Sequence, residues 1–250
     1  MCASVRERPA SGKCDDSGID ALESLAKPIP LPFAYAQLWM VSLNLDAGDL
    51  NRCAQVLSSE EISRGAQFIR VQDQNRYTAG RGMLRAVLAR FLGLSPQTLT
   101  IAADSHGKPI LPGHPEAVYF NLSHADDCML VAVSSEYEIG VDLESSTRDV
   151  DHDALASRFF STVEQAEFQR IPQAARREAF LKCWTRKEAV AKALGQGLRI
   201  PLDTIEVTVA PDAPPRILNV PTADLTHWTL HDVNAGKGFV ATLALRRLAL

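Results

Sequence analysis

The stretch EIGVDLESS, residues 138–146, sets Ile139, Val141 and Leu143 on one side of an extended chain and Gly140, Asp142 and Glu144 on the other. Two carboxylates on one face of a half-buried strand repel each other unless a cation lies beside them. Side chains two positions apart are roughly 6–7 Å apart at the backbone, so the oxygens of Asp142 and Glu144 can converge on one ion. Oxygen-only ligands suit Mg²⁺ or Mn²⁺, and Mg²⁺ is commonly held by one or two carboxylates together with substrate phosphates. An ordinary charged strand edge is the plain alternative for a lone Asp-x-Glu.

A second stretch bears on that alternative. FLKCWTRKEAVAKALG, residues 180–195, reads as a helix running to Gly195 and Gly197, and Phe180, Trp184, Glu188 and Lys192 follow at i, i+4 spacing along one stripe. The stripe is apolar at its start and carries a carboxylate and an ammonium at its end. A surface salt bridge would read the same way, worth a few tenths of a kcal/mol. A charge pair that continues a core-facing row instead marks a pocket rim. Glu188 is then a third carboxylate, and Lys192 a phosphate contact.

Two further segments carry polar groups at turns. YFNLSHADD, residues 119–127, places Asn121, Ser123 and His124 where a strand reaches its turn, and HGKPIL, residues 106–111, puts Lys108 beside a glycine. Local turn hydrogen bonds explain either segment taken alone.

Around these, the chain mixes helices with antiparallel strands, an α+β class. Alternation predicts a strand over 36–45, Ser58 with Glu61 predicts a capping box, and Met83, Leu84, Val87, Leu88 and Phe91 form a helical stripe ended by Gly93. Strands are expected on both sides of a tight turn at 125–127. A second capping box is expected at STVE, residues 161–164, and closing strands at 203–210, 227–234 and 237–248. Residues 1–30 are expected to be a flexible leader or flap, and two halves at 31–134 and 135–250 share a rough mixture of elements without a sequence repeat.

Bulk properties narrow the classes. The 250 residues are 46% hydrophobic, with net charge −4, which fits a globular core and gives no basic footprint for nucleic acid. Five scattered cysteines without a CxxC pair fit a reducing compartment, and the longest apolar runs are too short to span a bilayer.

In order, HGKPIL, FNLSH, IGVDLE and FLKCWTRKEAVAKALGQGL resemble the Sfp-type 4′-phosphopantetheinyl transferases, whose hallmarks are GKP, (F)N-x-SH, (V/I)G(V/I)D-x-E and W-x-x-KEA-x-x-K-x-x-G. The resemblance covers roughly residues 55–210. It implies a pseudo-dimer of two similar α+β halves, monomeric and cytoplasmic, with coenzyme A in the cleft between them. It also implies transfer of phosphopantetheine to a serine of an apo acyl or peptidyl carrier protein, releasing 3′,5′-ADP. By the same resemblance Asp142, Glu144 and Glu188 hold Mg²⁺ or Mn²⁺, Glu144 being the most replaceable, and Glu188 and Lys192 are the catalytic pair. Lys108, Asn121, Ser123 and His124 receive the coenzyme with Arg64; Arg76 and Arg81 are further basic candidates. By the same resemblance some relatives carry a lysine at the position of Glu61, so part of their phosphate clamp is expected to be weaker here. Arg176 and Arg177 are candidates for meeting an acidic carrier protein. A Mg²⁺-dependent phosphohydrolase and a non-catalytic coenzyme A-binding module are the alternatives, told apart by whether a carrier protein gains mass.

Overall fold

The computed structural model describes residues 17–105, 107–114, 118–195, 200–221 and 224–247. They divide into two compact units, one formed by residues up to 26 with 43–99, the other by 27–42 with 100–250.

The first unit is helical. Its helices are α1 (Ser17–Leu25), α2 (Ala47–Gln55), α3 (Ser59–Gly65) and α4 (Val71–Leu92). The expected capping box is present: Ser58 accepts from the Glu61 amide and Glu61 accepts from the Ser58 amide. Gly93 ends α4 in the left-handed conformation, φ 68°. The leader expected over residues 1–30 is regular structure from Ser17 onward, because Leu22 of α1 is buried; residues 1–16 lie outside the described residues. Helix α2 went unforeseen, since its apolar content is low and its N-cap Asp46 was not singled out.

The second unit holds two principal sheets. One has strand order β1-β2-β6-β5, with β1 Ala26–Ile29, β2 Ala36–Ser42, β5 Tyr119–Ala125 and β6 Cys128–Ser134. The turn between β5 and β6 places Asp126 at φ 51°, a conformation that Asp tolerates better than most residues. The other sheet has order β10-β11-β7, with β7 Tyr137–Ser145, β10 Trp228–Val233 and β11 Phe239–Arg247. Short pairs β3 (Ala102–Ala103) with β4 (Pro109–Ile110), and β8 (Glu206–Val207) with β9 (Ile217–Asn219), complete the strands. Helices α5 (His152–Phe159), α6 (Thr162–Arg170) and α7 (Gln173–Leu194) follow β7 in sequence.

Strand β7 is buried on both faces rather than one, which corrects the half-buried expectation. Ile139, Val141 and Leu143 join a cluster with Leu38, Leu130 and Leu243. The opposite face lies under α7. Contact there is so close that a Cβ on Gly140 would stand 2.0 Å from the Ala189 carbonyl oxygen and 2.4 Å from the Ala193 nitrogen. Only hydrogen fits at that position.

Three polar ties, made by buried residues of the helix, fix the rotation of α7. Thr185 and Thr242 share a hydroxyl hydrogen bond of 2.9 Å, and Arg186 makes paired bonds to Asp232 at 3.0 and 2.6 Å. Lys187 pairs with Glu164 of α6 and donates to the Ile205 carbonyl. Three consecutive residues thus point away from solvent, and Glu188 is turned toward the carboxylate face of β7.

Gly140→Ala should therefore push α7 off the strand. Overpacking against backbone costs about 3 kcal/mol or more, which for a chain of this size lowers the melting temperature by roughly 6–12 °C. Thermal unfolding followed by circular dichroism checks it; a variant melting with the parent contradicts the close approach.

Candidate active site at the β7–α7 contact

At the free edge of β7 the backbone groups of Val141 are satisfied by side chains, as a buried position requires. The Val141 N–H donates to Asn121 Oδ1 at 3.0 Å, and the Val141 carbonyl accepts from Lys192 Nζ at 3.2 Å. Asn121 thereby ties β5 to β7, and its oxygen is occupied.

Beside it, Asp142 is 4% exposed. Its Oδ1 accepts from Lys192 Nζ at 2.6 Å and from Ser123 Oγ at 2.9 Å, and Lys192 Nζ also reaches Ser123 Oγ at 3.1 Å. Its Oδ2 is buried without a hydrogen-bond partner. A buried carboxylate oxygen left bare is costly. Lys108 Nζ donates to the Lys192 carbonyl at 3.1 Å, so the GKP segment touches the end of α7. Burial holds the Lys108 pKa below its ordinary value, against the raising influence of Glu138 and Asp104. His124 is exposed between the buried Ser123 and Ala125 of β5, yet enough of its ring is desolvated, with the Lys192 ammonium second, to hold its pKa down.

The two other carboxylates feel Asp142. Burial first, then Asp142 and Glu144, push the Glu188 pKa above the usual range while Lys192 opposes them. Burial first, then Asp142, push Glu144 up as well, against Arg148 and Trp184. Glu144 accepts two hydrogen bonds from Arg148 Nη1, at 2.7 and 2.8 Å, and one from Trp184 Nε1 at 3.0 Å. Along α7 the residues Trp184, Glu188 and Lys192 thus run beside Glu144 and Asp142 of β7, with rungs at both ends and Glu188 between them.

The donor set is all oxygen and one oxygen is bare, which suits a hard divalent cation. Among the described residues, no group of three or more His, Cys, Asp and Glu side chains is gathered as a ready-made metal site. Asp142, Glu144 and Glu188 all offer oxygen to such a group, and a carboxylate that also accepts from Arg148 and Trp184 can still hold a cation.

The basic candidates of the first unit have their own partners. Arg64 donates to Gln67 Oε1 at 2.9 Å, Arg81 binds Glu61 Oε1 at 2.8 Å, and Arg76 lies on α4. Glu61 also accepts from the buried Arg85 at 2.6 Å. Burial alone would raise the Glu61 pKa, but the Ser58 amide, Arg85 and Arg81 hold it below the ordinary value. Glu61 organises arginines rather than facing solvent. Arg176 is tied to the Ile171 and Gln169 carbonyls and to Asp153, and Arg177 to the Arg148 carbonyl, so both have roles within their own chain.

Comparison with known proteins gives the family. Residues 138–244 match the model of the 4′-phosphopantetheinyl transferase superfamily, and residues 46–136 match the model of the 4′-phosphopantetheinyl transferase N-terminal region. The 4′-phosphopantetheinyl transferase HetI of Nostoc sp. is 34% identical over 210 residues, covering 83% of this chain and 86% of the relative. The chain belongs to the 4′-phosphopantetheinyl transferase superfamily. A 4′-phosphopantetheinyl transferase of Bacillus subtilis is 31% identical over 171 residues, covering 67% of this chain and 73% of its own. Sfp of Bacillus subtilis is 29% identical over 161 residues, covering 64% and 70%, in keeping with the Sfp-type motifs.

Within this phosphopantetheinyl transferase, the motifs did not reveal Arg148 or the Trp184 donor. Arg148 stands four residues past Glu144, a spacing that carries no signal outside a helix, and an indole N–H is silent in a sequence. The Arg186–Asp232 pair joins residues 46 positions apart, beyond any local pattern.

The raised carboxylates set the sign of a pH effect. A carboxylate whose folded pKa lies above its unfolded value stabilises the fold below the unfolded value, and that contribution is lost as pH rises through the folded one. Glu188→Gln removes the charged form, so without metal it should melt a few degrees above the parent near pH 7, the gap closing at about pH 4. A Gln variant melting below the parent at neutral pH contradicts the crowding of charge.

Proposed function

We propose that this chain transfers the 4′-phosphopantetheine group of coenzyme A to a serine hydroxyl of an apo acyl or peptidyl carrier protein, releasing 3′,5′-ADP. The observation that carries the reading is Asp142, whose buried Oδ2 is bare and whose Oδ1 accepts from the Lys192 ammonium, with Glu188 near enough to feel its charge. Relatives named 4′-phosphopantetheinyl transferases support the reaction class.

In the proposed assignment Asp142, Glu144 and Glu188 hold Mg²⁺ or Mn²⁺. The bound cation would neutralise charge on the diphosphate of coenzyme A. Lys192, already a donor at Asp142, swings its ammonium to the phosphate that is transferred. Ser123 and Lys108 steady the same end of α7, and Lys108 with His124 meets the nucleotide part of the coenzyme. Asn121 acts by holding β7 in place.

The serine oxygen of the carrier attacks the pantetheine-side phosphorus while the bond to the bridging oxygen breaks, and that oxygen leaves with 3′,5′-ADP. The serine proton needs an acceptor. Glu188 takes it in this account, because burial and neighbouring carboxylates raise its basicity. Its duty to the cation lowers that basicity, and the neighbouring charge of Asp142 offsets part of the loss.

Incubation with coenzyme A, Mg²⁺ and an apo carrier protein, read by the carrier's intact mass, tests the reading. A phosphopantetheine adduct is expected, and Asp142→Asn should slow its formation by more than about a hundredfold. Hydrolysis of coenzyme A without an adduct, across carriers of fatty-acid, polyketide and peptide synthesis, would contradict it.

A further inference from the structure

We propose that Glu138 is a positioning residue for the coenzyme, whose carboxylate holds the Lys108 ammonium in place at the end of α7. The inference rests on the reading of Lys108 as a contact to the nucleotide part of coenzyme A. It assigns a residue that stands one position before the IGVDLE motif and belongs to none of the family's hallmarks.

Strand β7 and helix α7 run in opposite directions. Glu144 meets Trp184, Asp142 meets Lys192, and Gly140 lies against Ala189 and Ala193. Glu138 is the next residue on that face of the strand, which carries it past Ala193 to the C-terminal end of the helix. There Gly195 closes α7 with φ 69°, and Lys108 Nζ stands 4.0 Å from where a Gly195 Cβ would be. The same Nζ donates to the Lys192 carbonyl at 3.1 Å. The last carbonyls of a helix gather partial negative charge, so a cation fits that end.

Two carboxylates act on Lys108, at different ends of the residue. Asp104 fixes its backbone: Oδ1 accepts from the Lys108 N–H at 2.9 Å, and the Asp104 N–H donates to the Lys108 carbonyl at 2.9 Å. Glu138 acts on the charge, as the strongest influence opposing the burial that pulls the Lys108 pKa down. A buried amine without such a neighbour sheds its proton and loses its hold on a phosphate. Glu138 also faces Arg246, its cross-strand neighbour on β11, with Nη1 3.2 Å from Oε2, and the guanidinium stands 5.8 Å over the ring of Trp228 on β10. A plain tie between strands is therefore the competing role. The side chains of that pair are 30% and 28% exposed, so as a tie alone it contributes little.

Steady-state kinetics with coenzyme A varied at saturating carrier protein separates the roles. Glu138→Gln should raise the KM for coenzyme A by roughly threefold to tenfold and leave kcat near the parent's. Arg246→Met breaks the same ion pair but keeps the carboxylate, so it should leave that KM within about twofold. Lys108→Met should raise KM by about tenfold or more. Glu138→Gln added to Lys108→Met should then cost less than about twofold further, because the carboxylate acts through the lysine. Three results overturn the inference and leave the coenzyme reading standing: a parent-like KM in Glu138→Gln, an equal rise in Arg246→Met, or effects that multiply in full in the double variant. A parent-like KM in Lys108→Met defeats the coenzyme reading of that lysine, and the inference with it.

Discussion

The absence of a side chain at Gly140 governs the rest. Strand β7 and helix α7 meet with backbone atoms of the helix 2.0 and 2.4 Å from where a Cβ would be, and that approach brings strand carboxylates within reach of helix side chains. A normal helix–strand separation would put solvent between Asp142 and Lys192. With Gly140 in place, the i, i+4 row of α7 lies along the i, i+2 row of β7, and their polar groups interlock.

That interlock is held under strain of a useful kind. Three carboxylates are gathered there, and burial pushes the pKa values of Glu144 and Glu188 upward. The fold tolerates this because buried pairs elsewhere fix α7: Arg186 with Asp232, Lys187 with Glu164, and Thr185 with Thr242. Glu164 is itself pushed up by burial, with Lys187 opposing. Sites that bind cations commonly sacrifice stability in the empty state.

Much of this was legible in the sequence. Period 2 in EIGVDLE and period 3.6 in FLKCWTRKEAVAKAL placed Asp142, Glu188 and Lys192 on facing rows, and Gly93 and Gly195 marked helix ends that the structure confirms in the left-handed conformation. Periodicity reports which face a residue occupies, not who its partner is. It therefore could not show that Asn121 serves a backbone N–H, that Glu144 is bonded to Arg148 and Trp184, or that Glu61 gathers Arg81 and Arg85. Those pairings depend on long-range contacts, where either partner alone looks like an ordinary polar residue. Helix α1 escaped notice for a different reason, since its nine residues follow a polar leader rich in Gly, Ser and Pro that was read as flexible throughout.

The central claim is that one divalent cation is shared by the strand's Asp142 and the helix's Glu188. Anomalous diffraction at the manganese edge, from crystals grown with Mn²⁺ and coenzyme A, tests it most directly. A single peak bonded to Asp142 Oδ2, a Glu188 oxygen and the coenzyme diphosphate is the predicted result. A peak that touches only one of those carboxylates, or none, would contradict the account.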